Sequence, residues 1–61
     1  AGIEALPDSG ELWNNLGSLE ANRGALPEAL EAFATAARLR PEWATARANL
    51  EQARRQLSAP P

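Results

Sequence analysis

Cysteine, histidine, lysine and tyrosine are all missing from this 61-residue chain, and each absence closes off a chemistry. Without cysteine there is no disulfide and no thiol, and without histidine as well there is no zinc site of the usual kind. The common general bases and nucleophiles are gone with them. Ser9, Ser18 and Ser58 have no base to activate them, and the glycines do not form a phosphate-binding loop. The expectation is a non-enzymatic chain with no metal and no cofactor. β-Branched residues are almost absent: Ile3, Thr35 and Thr45 are the only ones, which argues against a sheet. No apolar run approaches the roughly 18 residues of a membrane span, and no signal-peptide pattern is visible, so nothing here assigns a compartment.

What is present is short and helical in character. A chain this small buries only about 60% of its unfolded surface, so its stability has to come from close helix packing or from association. The net charge is −2 and every basic residue is Arg. An acidic chain is a poor fit to nucleic acid, which selects a basic patch. The charge is unevenly spread. Residues 1–31 carry Glu4, Asp8, Glu11, Glu20, Glu28 and Glu31 against Arg23, a net of −5. Residues 32–61 carry five Arg against Glu42 and Glu51, a net of +3. Such a split arises from solvated faces biased by helix ends, or from a binding surface.

Proline and glycine divide the chain into three helical segments. The first runs from about 9 to 23, with Asp8 and Glu11 placed for a capping box. Leu12, Leu16 and Leu19 recur along one face of it. Gly24 stops it in the left-handed conformation. The second runs from about 27 to 39, opening on Pro27, which a first helical turn accepts. Leu26, Leu30, Phe33 and Ala37 form its stripe, with Ala29 and Ala36 as a smooth flank. The third runs from about 42 to 57, with a thinner stripe of Ala46, Leu50, Ala53 and Leu57. Residues 58–61 read as a frayed tail.

Pro7 and Pro41 lie 34 residues apart, and at the same offset Asn15 meets Asn49 and Leu16 meets Leu50. That period and the residues around it resemble the tetratricopeptide repeat, whose pattern is Trp-x2-Leu-Gly-x2-Tyr, then Ala-x3-Phe, then Pro. This chain supplies Trp13, Leu16 and Gly17, then Ala29 and Phe33, then Pro41, with Ala36 three residues after Phe33. Glu20 stands where the tyrosine is expected. The resemblance covers residues 8–41. It implies an all-α fold: a helix-turn-helix hairpin, then a third helix, as a fragment of an α-α superhelix. It also accounts for a glycine inside the first helix. Gly17 and Ala29 would let the two hairpin helices touch, with Trp13 and Phe33 filling the space to either side.

The third segment departs from the pattern. Arg47 takes the place of Trp13, Glu51 that of Gly17 and Arg54 that of Glu20. A charged face there suits a polar capping helix, residues 42–57, that ends an array. At the other end, Leu12 and Leu19 face where a preceding repeat's second helix would lie. Residues 1–7 read as the end of such a repeat or as a tail. Either the chain is a piece of a longer array, or these leucines are covered by self-association.

The function implied by the resemblance is binding. Such arrays hold a peptide or protein partner in a groove lined by their first helices. In this chain the lining residues would be Asn14, Ser18 and Asn22 from the first helix, with Asn49, Gln52 and Arg55 from the third. Amides can pair with a peptide backbone, and Arg55 with a carboxylate. Some relatives clamp a terminal carboxylate with lysine, asparagine and arginine. That activity does not carry over to a chain without lysine. Asn15 and Asn49 are frequent in the family's framework and suit a structural role. The alternative is a structural element with no ligand of its own, an end cap or homo-oligomerisation unit, associating through Leu12 and Leu19. Trp43 lies outside the third stripe, either covering the end of the second helix or standing as an exposed anchor. No nucleic-acid or membrane partner is expected.

Overall fold

The structure, a computed structural model, describes residues 9–58. The candidate N-cap Asp8, the segment 1–7 and the tail 59–61 lie outside the described residues. Three helices follow one another: α1 (Ser9–Asn22), α2 (Leu26–Leu39) and α3 (Ala44–Ser58). Among the described residues there is no strand, and no helix is long and apolar enough to cross a membrane. The fold is all-α, a helical hairpin with a third helix laid against it.

The turns follow from backbone chemistry. Gly24 has φ +83°, a conformation that costs an L side chain roughly 1–2 kcal/mol. Around it the Gly24 N–H bonds the Ala21 carbonyl at 3.0 Å and the Ala25 N–H bonds the Glu20 carbonyl at 2.8 Å. This pair of bonds is a Schellman motif, and it satisfies carbonyls that the end of α1 leaves open. Pro27 sits in the first turn of α2. The helix starts one residue before it, at Leu26, with no side-chain cap. α3 starts at Ala44, two residues later than the spacing predicts. The Trp43 N–H turns back to the Arg40 carbonyl at 3.0 Å, and the Trp43 carbonyl accepts from Arg47 at 3.4 Å. The chain thus spends residues 40–43 on a turn before the third helix begins.

The core is small and built mostly of alanine. α2 packs against both α1 and α3. Its buried residues are Ala29, Ala32, Phe33 and Ala36. Ala29 and Ala36, expected on a flank, are the most deeply buried, whereas Leu26, Leu30 and Ala37 are only partly covered. From α3, Ala46 and Ala53 are buried, Leu50 is partly so, and Leu57 is exposed. Ala29, Phe33 and Ala53 form the central cluster, with Ala21, Leu30 and Leu50 against it.

α1 turns a different face inward from its leucine stripe. Its buried residues are Gly10, Asn14 and Gly17, at i, i+4 and i+7, with Ala21 partly buried one turn on. Leu12 and Leu19 remain 55% and 57% exposed. Trp13 and Leu16 are each 39% exposed, and Trp13 lies with Ala32 along one side of the α1–α2 contact. The reason for this inner face is at Gly17. A Cβ there would come within 2.6 Å of two carbons of the Phe33 ring. The ring lies against bare backbone, and only the small face of α1 permits that approach.

Candidate functional site

Two depressions flank α1, one on each side of its buried face. The first lies between α1 and α3. It has a volume of about 280 Å³ and is lined by Ser18, Ala21, Asn22, Phe33, Asn49, Gln52, Ala53 and Gln56. Helical spacing assembles it. Ser18 and Asn22 are one turn apart on α1. Asn49, Gln52 and Gln56 recur at i, i+3 and i+7 on α3. Phe33, Ala21 and Ala53 are the apolar part of the lining. None of its side chains is ionisable, so the groove offers neutral hydrogen-bond donors and acceptors beside a small apolar floor. That chemistry suits a polypeptide backbone, which carries one donor and one acceptor per residue.

Of the six groove residues expected from the sequence, Ser18, Asn22, Asn49 and Gln52 line this depression. Asn14 does not. It is 7% exposed, and its Oδ1 accepts a 3.1 Å hydrogen bond from Asn49 Nδ2. The bond joins α1 to α3 directly. Asn14 is therefore a buried structural partner of Asn49 and not a ligand-facing residue, because it stands on the same stripe as Gly17. Arg55 is exposed on the outer side of α3 and also lies off the groove. Asn15 is exposed and makes no such link. Gln56 and Phe33 were not expected in the lining. Gln56 was legible as the residue one turn beyond Gln52. Phe33 was not, because its place depends on the missing side chain at Gly17.

The second depression lies between α1 and α2. Its volume is about 350 Å³, and it is lined by Trp13, Leu16, Glu20, Glu28, Glu31, Ala32 and Thr35. Trp13, Leu16 and Ala32 are apolar, and three carboxylates ring them. Glu20 pairs with Arg23 at 3.3 Å, while the Glu28 and Glu31 carboxylates have no ion-pair partner among the described residues. The Leu16 side of this notch runs on into the exposed Leu12 and Leu19.

Trp43 occupies neither depression. It is partly buried, and the Arg40 guanidinium stands 5.0 Å from its ring centroid. Arg40 also reaches Glu42 at 3.4 Å, so Trp43 belongs to the α2–α3 turn. Among the described residues no group of three or more acidic side chains is placed to hold a metal ion.

No protein-family model, curated protein or solved structure matches the chain.

Proposed function

We propose that this chain is a non-enzymatic protein-interaction module of tetratricopeptide-like design, which holds a peptide segment of a partner in the groove between α1 and α3. The observation that carries the reading is the neutral, amide-lined depression formed by Ser18, Asn22, Asn49, Gln52 and Gln56. Two neighbouring helices offer side-chain amides toward one space, with Phe33 beside them. An extended peptide can pair its backbone with those amides and lay small side chains on the apolar floor. The hairpin with its close contact at Gly17, followed by a third helix with a charged outer flank, supports the same design. Because nothing ionisable lines the groove, such binding would depend only weakly on salt.

The test is a screen of randomised peptides against the protein, followed by titration of the best binder into variants. Asn22→Ala and Gln52→Ala should weaken binding by about tenfold together while leaving helicity unchanged. If no peptide binds, or the variants bind as the parent does, the groove is not the site.

A second reading is that the chain is an assembly element: an array end or a self-associating unit without a ligand. The exposure of Leu12 and Leu19 on the outer face of α1 favours it. Adjoining apolar side chains left in water commonly mark a protein interface. Molar mass by light scattering across a hundredfold concentration range tests this reading. A constant monomer mass would remove self-association.

A further inference from the structure

The charge split of the sequence reappears in the fold as two unlike faces, and neither lines the amide groove. The first is the α1–α2 notch, where Trp13, Leu16 and Ala32 are ringed by Glu20, Glu28 and Glu31. The second is the flank of α3 turned away from Asn49, Gln52 and Gln56. It carries Arg47 and Arg54, two helical turns apart and both exposed. Arg54 shares Glu51 at 3.3 Å, whereas Arg47 has no ion-pair partner among the described residues. At the 34-residue offset these two arginines occupy the positions of Trp13 and Glu20. The same helix register thus presents an acid-rimmed apolar surface on α1 and a basic one on α3.

We propose that the notch receives the arginine flank of α3 from a second copy of the chain, so that copies associate head to tail. The guanidiniums would lie against Glu28 and Glu31, the two notch carboxylates without partners, and their aliphatic stems would cover the exposed Trp13 and Leu16. Arginine suits both contacts, since its fork pairs with carboxylates and its plane stacks on an aromatic ring. Within one chain the two faces do not meet. A two-fold pairing of notch with notch would set six carboxylates against one another, which like-charge repulsion opposes. The contact is therefore between different surfaces, and such contacts extend into open chains when the rotation between copies does not close a ring. The proposal rests on the assembly reading for its partner but assigns it to a surface other than the outer leucines.

The experiment is sedimentation velocity on the parent and two charge variants, each checked for helicity by circular dichroism. For the parent, mass should rise with concentration without stopping at the dimer, and the rise should be suppressed about tenfold in apparent affinity at 1 M salt, where the screening length falls to about 3 Å. Glu28→Arg with Glu31→Arg should be monomeric, and so should Arg47→Glu with Arg54→Glu. Mixed in equal amounts, these two variants should associate again, because each supplies the charge the other's face requires. Should reversal of a pair unfold the chain, the neutral versions Glu28→Gln with Glu31→Gln and Arg47→Gln with Arg54→Gln are read for loss of the salt-dependent rise. A parent that associates equally well at high salt, with charge variants unchanged and only Leu12→Glu disruptive, overturns the proposal and leaves the assembly reading standing. A parent that stays monomeric throughout overturns the proposal and self-association with it.

Discussion

Phe33 packs so closely on Gly17 that a methyl group at position 17 would stand 2.6 Å from two of its ring carbons. The ring cannot simply swing away, because Phe33 is 5% exposed and held in the central cluster with Ala29 and Ala53. Two opposing effects decide the outcome of Gly17→Ala. Replacing an interior helical glycine gains roughly 1 kcal/mol of helix propensity, and overpacking costs about 1–3 kcal/mol. The clash should win, with a net loss of about 1 kcal/mol in chemical denaturation. Combining Gly17→Ala with Phe33→Leu should cost less than the sum of the two single changes, since the second removes what the first collides with. Simple additivity would show that the ring moves freely.

Asn14 and Asn49 make the second prediction. Their 3.1 Å hydrogen bond ties α1 to α3, and Asn14 is buried. Asn49→Ala should destabilise the chain by about 1–3 kcal/mol, because it strands a buried carbonyl oxygen. Replacing both residues with leucine should be far less costly than Asn49→Ala alone, since no polar atom is then left without a partner. Thermal unfolding followed by circular dichroism would measure both.

Gly24 separates backbone strain from packing. Its φ is +83°, and a Cβ there would meet nothing within 4 Å. Gly24→Ala should therefore cost about 1 kcal/mol through conformation alone. Gly24→Asn should cost less, because asparagine tolerates this region better. Equal losses for the two in urea denaturation would mean that the turn relaxes.

Large apolar residues should contribute according to their burial and not their size. Phe33→Ala is expected to cost about 3–5 kcal/mol, enough to unfold a chain of this length at 25 °C. Leu12→Ala and Leu19→Ala should each change monomer stability by no more than about 0.5 kcal/mol, despite removing as many methyl groups as a core truncation. A large loss at Leu12 in dilute solution would place it in contact with something the monomer itself supplies.

The leucine stripe also shows how far periodicity reaches. Leu12, Leu16 and Leu19 identify α1 as a helix because they repeat every three to four residues. Leu12 and Leu19, which the resemblance turns toward a preceding repeat, stand exposed, and so does Leu16. The helix buries Gly10, Asn14 and Gly17 instead, since a face without bulk lets α2 come nearer, and close approach recovers dispersion contacts along the whole backbone. The groove position of Asn14 follows from its place off the leucine stripe, whereas its burial depends on a partner 35 residues away on another helix. Ser18 and Asn22 were legible as groove residues because they sit on the flank of α1 beside α3, and Asn49 and Gln52 because they sit on the facing flank of α3.

Composition, punctuation and period were enough for three helices, the breaks near Gly24 and Pro41, and the small residue at position 17. These are local matters, settled by propensity, by the missing N–H of proline and by the backbone freedom of glycine. The burial of Asn14 beside Gly17, its meeting with Asn49, and the separation of an acid-rimmed notch from an arginine flank belong to the packed molecule. Each depends on how closely one helix approaches another, and that distance is set jointly by side chains far apart in the chain.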